Sequence, residues 1–400
     1  MKTPWRKLYV LSIAGAFSWL GSSLTTFAVI LRDKDAVGAV GISGYLLAFG
    51  LPTIFMAPVS GLIADKFSSR VVIGPALLVM GLGSLTLALG WPLWWTPFAL
   101  LITAIAGTLV GPAFQAAQVS VTAKEDVPRV SGIMQSMASA GTLFAPALGG
   151  ILVASTGYFW PFVIDAVSFW MLGVVFFALN INRKPVVHET GEKMSATAGL
   201  KFVFSDRLIR AITILVSVLI IALGTLNVGE VFLAQDELHA NAVQYGIISA
   251  LFAAGSIAGS LSTAAIKLEA KHHALAMLLG IVLLILVVFM MSIAWHWTVL
   301  VVLSFVAGVG NSMLNAYAIG IIMTRSPAEA LGRVNAAIGA VIQTGSVVAI
   351  VAGGVLIGVF GVREVIFVSA ILSALVLLVF GPEVIRAGRE HRGEQAQQSA

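Results

Sequence analysis

The chain has 400 residues, of which 59% are hydrophobic and 10% are charged, and its net charge is +5 at pH 7. Soluble domains carry about 25% charged residues, so this composition excludes an ordinary soluble protein and favours a membrane protein. The sequence contains no cysteine, which excludes thiolate metal sites. Its six histidines show no metal-ligand spacing, so we expect neither a metal nor another cofactor.

Apolar stretches of about 20 residues, long enough to cross a hydrocarbon core, occur twelve times along the chain. They lack the alternation of barrel strands, so we predict an all-α polytopic membrane protein with twelve transmembrane helices. The first stretch continues uncharged to Leu31, which is too long for a signal peptide. In chain order the predicted spans are 8–31, 42–63, 71–90, 96–118, 130–154, 158–179, 208–233, 243–266, 274–294, 298–323, 334–357 and 362–381.

Basic residues are distributed unequally between the two sides of the membrane. Of the 23 Lys and Arg residues, only Arg32, Lys34 and Arg363 fall in loops on the side opposite to the N-terminus. Positively charged loops stay in the cytoplasm, so we predict a multi-pass protein of the cytoplasmic (inner) membrane with both termini cytoplasmic. The basic residues that produce the net charge orient the helices and meet the anionic lipids of the bilayer. We therefore expect no nucleic-acid partner. Tryptophans favour the headgroup layer, and six fall at predicted outer boundaries: Trp91, Trp94, Trp95, Trp160, Trp295 and Trp297.

The second half of the chain repeats the first at an offset of 204 residues. Gly141 aligns with Gly345, and Gly149-Gly150 aligns with Gly353-Gly354. Matching glycines predict matching close helix crossings in the two halves. Six spans per half is an even number, so the two pseudo-repeats are parallel.

The repeat and the polar breaks predict the domain organisation. We expect a six-helix bundle in residues 1–179 and a second one in residues 208–383. Residues 180–207 form a cytoplasmic linker, and residues 384–400 form a polar cytoplasmic tail that we expect to be disordered. We expect the protein to be a monomer.

The stretch GLIADKFSSR (61–70) follows the second span and holds three charges. It resembles the loop signature of the major facilitator superfamily, with a serine where that signature prefers glycine. Three further stretches extend the resemblance over the whole chain: GTLFAPALGG (141–150), FVIDAVSFW (162–170) and SPAEALGRVNA (326–336). The first resembles the exporter signature of the fifth helix. The other two are similar to the subgroup that contains the enterobactin exporter and bacterial macrolide-efflux proteins.

The resemblance implies two six-helix bundles around a central cavity that opens alternately to the two sides of the membrane. It makes Gly61, Asp65 and Arg70 candidates for gating. Asp65 is expected to contact Lys66, Arg70 or the start of the eleventh span, near Arg333, and so to close the inner side. The alternative is that these charges only flank and orient the helices.

The fifth span resembles an exporter signature. Its members in this sequence are Gly141, Pro146, Gly149 and Gly150. Proline removes a backbone hydrogen bond and the small residues permit close packing, so we expect a kinked and closely packed helix. The alternative is a packing seam without a role in export.

Two ionisable residues, Asp165 and Glu230, fall at bilayer depth in the predicted spans. Such residues are costly in hydrocarbon and are candidates for function, so we expect one of them to couple transport to protons. The alternatives are a structural hydrogen-bonded acid at Asp165 and an interfacial acid at Glu230. Members of the subgroup often carry an acid in the first span, where this chain has Ser22 and Ser23.

Polar side chains carried by one half of the repeat are candidates for the substrate cavity. An amide can also simply tie two helices together. A cavity with few amides, little charge and nearby aromatic residues suits a bulky amphiphilic molecule. The candidates are Ser22, Gln115, Gln135, Asn227, Asn311, Asn315 and Gln343.

These features predict a secondary active transporter rather than an enzyme, since no nucleotide-binding or hydrolase motif occurs. We expect a proton-coupled exporter, an antiporter conferring multidrug resistance, whose substrate is an amphiphilic drug, antibiotic or siderophore-like molecule. One alternative is an importer or facilitator of a small metabolite with the same fold. Another is a non-transporting membrane protein such as a lipid scramblase.

Overall fold

The computed structural model describes residues 3–123, 126–183, 196–266, 268–269, 272–325 and 331–398. Helices account for nearly all of these residues, as the long apolar runs predict. A turn of 3-10 helix precedes α4 and a π-helical turn, Leu233–Glu237, follows α9. The α-helices are α1 (Trp5–Phe55), α2 (Ala57–Lys66), α3 (Ser69–Ala88), α4 (Thr96–Ser120), α5 (Val127–Thr156), α6 (Phe159–Ala178), α7 (Ala196–Ser205), α8 (Arg207–Leu223), α9 (Leu226–Phe232), α10 (Ala242–Ala265), α11 (His273–Ser292), α12 (Trp297–Arg325), α13 (Leu331–Phe360) and α14 (Val362–Gln398).

The first helix contains two predicted spans. α1 runs from Trp5 to Phe55 and is interrupted only at Gly38, whose φ of 62° and ψ of −171° are not helical. Glycine adopts a positive φ without the steric cost of a Cβ atom, so the chain can turn there between two membrane segments. The second predicted span, 42–63, begins in α1 and ends in α2. Met56 separates these two helices.

Ten helical stretches among the described residues are long and apolar enough to cross a membrane. One of them is α1, which holds two predicted spans. The fifth predicted span lies in α5 (Val127–Thr156), which is 30 residues long. The helices therefore correspond to the twelve predicted spans.

The seventh predicted span, 208–233, is interrupted in the structure. α8 ends at Leu223 and α9 begins at Leu226. A Cβ atom on the intervening Gly224 would lie 2.5 Å from Cβ of Ala349 on α13. Glycine at this position therefore permits the close approach of α13 to the break in the span.

The chain divides into two units, and unit 1 consists of Met1–Gly191 together with Asn241–Ala250. Its core is formed by buried side chains of α1, α3, α4 and α6, such as Leu11, Leu77, Ala117 and Phe169. Many large apolar side chains on the outside of the helices are exposed, for example Val174 at 69%. Such a surface is expected of helices that face lipid.

Unit 2 consists of Glu192–Ala240 and Leu251–Ala400. Its core combines Leu215, Met277 and Ile281 with Val384 and Ala387 of α14. The backbone of α14 is helical to Gln398, although we expected residues 384–400 to be disordered. Burial of Val384 and Ala387 explains why at least the start of this segment belongs to the fold, which the polar sequence does not indicate.

Side-chain hydrogen bonds hold the start of each half, through different residues in the two halves. In unit 1 the Thr3 hydroxyl donates to the Asp126 carboxylate and accepts from the backbone N–H of Ala123 at 3.1 Å. In unit 2 the Asp206 carboxylate accepts from Arg325 Nε at 3.0 Å. In unit 1 the segment before α1 therefore binds the segment between α4 and α5, and in unit 2 the residue before α8 binds the end of α12.

Candidate functional site

Unit 1 contains a cavity of about 740 Å³ between α1 and its neighbours α2 to α6. Its apolar wall includes Leu77, Met80, Phe114 and Phe169, and aromatic Trp19 lies at its edge. Hydroxyl groups also line it, and they belong to Ser12, Ser18, Ser22, Thr25, Thr53, Ser60, Ser84, Thr103, Thr108 and Thr122. Cavities of this size and lining bind drug-sized amphiphilic molecules in other proteins.

Asp165 of α6 lines this cavity and is 1% exposed. Its Oδ2 accepts hydrogen bonds of 2.7 Å from Thr25 Oγ1 on α1 and from Ser84 Oγ on α3. Its Oδ1 accepts a longer bond, 3.3 Å, from Ser22 Oγ. A carboxylate can only accept, so the three hydroxyl groups match its charged form.

The close approach of α1 to α6 brings these groups together. A Cβ atom on Gly21 would lie 2.7 Å from Ser168 Oγ and 2.9 Å from the Asp165 Cα atom. Glycine is therefore required at this helix crossing. The sequence predicted Ser22 and Asp165 but not Thr25, although Ser22 and Thr25 are three residues apart and share a face of α1.

Two glutamines of α4 line the same cavity. Gln115, a predicted candidate, is exposed towards it. Gln118 was not among the predicted candidates. Its side chain is 2% exposed, and its Nε2 atom has no hydrogen-bond partner among the described residues. Gln135 lies on α5, but its side chain is outside the described residues.

The gating candidates lie at the predicted cytoplasmic end of unit 1. Asp65 Oδ1 accepts a hydrogen bond of 2.9 Å from Arg183, which also donates to the Ala64 carbonyl at 3.1 Å. Arg183 follows α6 in the predicted linker and was not among the expected partners. The side chain of Arg333, near the expected contact in the eleventh span, is outside the described residues.

Arg70 does not bind Asp65 in the structure. It donates to the Asn180 side chain and lies over the Phe177 ring, 5.7 Å from the ring centroid. Gly61 lies on α2, and no atom of the described residues lies within 4 Å of an added Cβ atom there. The loop signature therefore contacts the end of α6 through Asp65 and Arg70, whereas Gly61 is not needed there for close packing.

The predicted exporter signature packs against two other helices of unit 1. A Cβ atom on Gly149 would lie 2.8 Å from the Phe27 ring of α1, and one on Gly150 would lie 2.5 Å from the Ala242 carbonyl oxygen at the start of α10. From α10, a Cβ atom on Gly246 would lie 2.5 Å from the Pro146 carbonyl oxygen. Gly141 is part of the α5 helix, but its surroundings are outside the described residues.

The remaining candidates belong to unit 2. Asn227 lies on α9 directly after the break in the seventh span, and its Nδ2 donates to the Gly224 carbonyl at 3.0 Å. Glu230 lies one turn later on α9 and is half-buried. Asn315 Nδ2 donates to the backbone and side-chain oxygens of Asn311 at 2.8 and 3.2 Å, so these two residues share a face of α12 as predicted. Gln343 is half-buried on α13.

A buried ionic cluster at the opposite end of unit 1 was missed in the sequence. Asp33 is 2% exposed and accepts from Arg32 Nε at 2.6 Å. Arg32 also donates to the Leu87 carbonyl and the Thr96 hydroxyl, and its guanidinium lies 5.0 Å from the Phe162 ring centroid. By its place in the sequence Arg32 is a loop charge, and Asp33 beside it was not among the predicted candidates.

No group of three or more His, Cys, Asp or Glu side chains that could hold a metal ion occurs in the part of the chain that the structure describes.

Comparison with known proteins places the chain in a family. The model of the Major Facilitator Superfamily matches residues 11–267 and 219–399. The enterobactin exporter EntS of Escherichia coli O1:K1 / APEC is 24% identical over 81% of this chain and 77% of its own length. YfiS, an uncharacterised MFS-type transporter of Bacillus subtilis (strain 168), is 27% identical over 43% of this chain and 42% of its own length.

Solved structures share the fold. The nucleoside transporter NupG has a TM-score of 0.71 at 16% identity, and the match covers 94% of this chain and 98% of NupG. An auto-inhibited peptide transporter of the POT family has a TM-score of 0.73 at 14% identity and is matched over 97% of its chain, with 95% of this chain covered. The predicted fold class, twelve transmembrane helices in two parallel six-helix repeats, is confirmed.

Proposed function

The chain belongs to the Major Facilitator Superfamily, and we propose that this transporter exports amphiphilic small molecules in exchange for protons by alternating access. The observation that carries the proposal is the cavity of unit 1, in which apolar and aromatic walls surround one buried carboxylate, Asp165. Similarity to the EntS exporter over 81% of the chain supports export rather than import. The substrate is a drug, an antibiotic or a siderophore-like molecule.

The cavity favours an amphiphile over a sugar. Leu77, Met80, Phe114 and Phe169 offer apolar contact, and burial of apolar surface contributes about 25 cal/mol per Å² to binding. Several of the hydroxyl groups in the lining donate to their own helix, as Thr108 does to the Ala104 carbonyl. A molecule with many hydroxyl groups would lose hydrogen bonds to water there without replacing them.

Asp165 is one of the two candidates for proton coupling. As a carboxylate it accepts from Thr25, Ser84 and Ser22, which lie on α1 and α3. A proton on Asp165 would turn one acceptor into a donor, so at least one hydroxyl group would have to rotate or withdraw. Protonation would thereby alter how α1 and α3 pack against α6, which links proton binding to helix movement.

Glu230 is the second candidate for proton coupling. It lies on α9 beside an interrupted span, with a π-helical turn directly after it. Helix breaks and π-turns in membrane spans occur frequently at functional sites because they permit local rearrangement. A carboxyl group there can meet each side of the membrane in turn as the span moves.

The ion pair of Asp65 and Arg183 is the proposed inner gate. It fixes the C-terminal end of α2 to the segment that follows α6. Both side chains are partly exposed, at 39% and 19%, so the pair contributes little to stability and can be exchanged for other partners as the protein opens. In the proposed orientation this end, like both chain termini, faces the cytoplasm, and the protein works as a monomer in the inner membrane.

Transport assays in an efflux-deficient bacterial host test the proposal. Cells expressing the protein are loaded with amphiphilic dyes or antibiotics, and intracellular accumulation is measured with and without a protonophore. We expect lower accumulation and higher resistance than in cells with the empty vector, and loss of both when the proton gradient is collapsed.

The alternatives give different results in the same assay. Raised accumulation would identify an importer or facilitator. Lipid movement in reconstituted vesicles without solute transport would identify a scramblase. Export that persists in full with the protonophore would contradict the proposed proton coupling but not the proposed export.

A further inference from the structure

Gln118 is a buried polar side chain in the cavity wall of unit 1. It is 2% exposed, and its side-chain nitrogen has no hydrogen-bond partner among the described residues. The hydroxyl of Thr122, two residues after the end of α4, donates to the Gln118 backbone carbonyl at 2.7 Å instead of binding the amide group. Buried donors are almost always paired, so an unpaired one in a cavity wall indicates a missing acceptor.

The position of Gln118 in the cavity suggests how long that acceptor molecule is. Asp165 lies level with Ser84, to which it is hydrogen-bonded. The neighbouring Gly83 lies level with Thr103 on α4, since its added Cβ atom would be 2.5 Å from Thr103 Oγ1. Gln118 follows Thr103 by fifteen residues in the same helix, which places it about 22 Å further along the axis at 1.5 Å per residue.

The cavity therefore has two polar ends that differ in chemistry. One end holds the Asp165 carboxylate, which attracts positive charge and repels negative charge. The other holds the Gln118 amide, an unpaired donor. Between them the lining is largely apolar and aromatic, with Leu77, Met80 and Phe114.

We propose that Gln118 is a ligand-recognition residue, whose side-chain N–H donates a hydrogen bond to a carbonyl or ether oxygen at one end of an elongated amphiphile. The other end of this molecule, next to Asp165, is cationic or uncharged. This inference rests on the proposed function, because it names the class of molecule that the cavity takes.

Binding to purified protein in lipid nanodiscs tests the proposal with two matched probes. Each is an alkyl chain long enough to reach from Asp165 to Gln118 and carries trimethylammonium at one end. The first probe ends in a methyl ester, which can accept a hydrogen bond, and the second ends in plain hydrocarbon of equal length. We expect the wild-type protein to bind the ester probe more tightly.

The variant Gln118→Met keeps the volume of the side chain and removes the donor. We expect it to weaken binding of the ester probe about fivefold to tenfold and to leave binding of the hydrocarbon probe within about twofold, as the loss of one hydrogen bond predicts. Gln244→Met, a change outside the cavity lining, should leave both affinities unchanged.

A purely structural role for Gln118 would weaken both probes together, and that result would overturn the proposal. Equal affinity of the wild-type protein for the two probes would overturn it as well, even if no variant folds. Neither binding measurement depends on the direction or the energy source of transport. Absence of export with the ester preference intact would thus contradict only the proposed function.

Discussion

Thr25 on α1 and Asp165 on α6 are joined by a 2.7 Å hydrogen bond from hydroxyl to carboxylate. The same carboxylate oxygen accepts a bond of equal length from Ser84 on α3. One buried acid therefore ties together three helices that are distant in sequence. Hydrogen bonds to a charged group in a medium of low polarity are stronger than those between neutral groups, so each of these ties is expected to be measurable.

Thr25→Val should destabilise unit 1. Valine has nearly the shape of threonine but leaves the buried carboxylate with one donor fewer, at a cost of about 1–3 kcal/mol. We expect a lower melting temperature of the purified protein, measured by intrinsic fluorescence. Thr26→Val is the matched control, because the Thr26 hydroxyl donates within its own helix, to the Ser22 carbonyl at 3.0 Å. Equal melting temperatures of the two variants would contradict the role of Asp165 as a helix tie.

Asp65→Asn should reduce transport strongly without preventing membrane insertion. Arg183→Gln should do the same, because it removes the other half of the ion pair. Since both side chains are partly exposed, we expect a change in stability of less than about 1 kcal/mol. Transport rate and melting temperature are measured together, so that loss of function can be separated from loss of folding.

The exchanged pair, Asp65→Arg with Arg183→Asp, should recover part of the transport lost in the single variants. Arg70→Gln serves as the comparison, because Arg70 contacts Asn180 and Phe177 instead of Asp65. Wild-type transport by Asp65→Asn would remove Asp65 from the gate. Lack of recovery in the exchanged pair would remove Arg183.

The helices were predictable because each membrane crossing leaves an apolar run of fixed length in the sequence. The span 71–90 and α3 (Ser69–Ala88) agree within two residues at each end. The turn at Gly38 and the break at Gly224 were not predictable. A glycine in an apolar run fits a turn, a break or a close helix contact equally well, and only the neighbouring helix decides between them.

The candidate site was predictable only in part, for a related reason. An acid such as Asp165 is conspicuous in an apolar span, whereas single hydroxyl groups such as that of Ser84 are common there and often bind their own helix. Arg183 lies in a polar linker, where nothing in the sequence singles it out. Gln118 could have been found, because the repeat places Ile322 at its equivalent position, as it places non-amide residues opposite the selected glutamines.

Glu230→Gln should abolish the pH response of export. If protons enter as the substrate leaves, export by the wild-type protein is faster at lower external pH. Glutamine cannot release a proton, so the variant should show a flat profile across the same pH range. Glu237→Gln is the control, since Glu237 binds Arg363 at the end of unit 2. An unchanged profile in Glu230→Gln would leave Asp165 as the coupling candidate.

Alanine at Gly150 or Gly246 should disrupt the packing of α5 against the start of α10. The added Cβ atom would lie 2.5 Å from a backbone carbonyl oxygen in either case, and the backbone cannot move aside as a side chain can. Such overpacking costs about 1–3 kcal/mol. Gly44→Ala is the matched control, because its added Cβ atom has no neighbour within 4 Å in the part of the chain that the structure describes. Melting temperatures that do not differ from the control would contradict this packing.

Arg32→Gln should be more damaging than Arg363→Gln, although both arginines lie in predicted outer segments. The substitution Arg32→Gln leaves Asp33, which is 2% exposed, without its cation. Removal of one partner of a buried pair costs about 3–5 kcal/mol. Arg363 pairs with Glu237, which is 42% exposed, so water can solvate the remaining carboxylate. We expect poor expression or a much lower melting temperature for Arg32→Gln. We expect a smaller loss for Arg363→Gln, which also removes the hydrogen bond from Arg363 to the Ala294 carbonyl.

The double variant Arg32→Gln with Asp33→Asn removes both charges and should recover stability relative to Arg32→Gln alone. If it does not, the contacts of Arg32 with Leu87, Thr96 and Phe162, rather than the charge of Asp33, account for the loss.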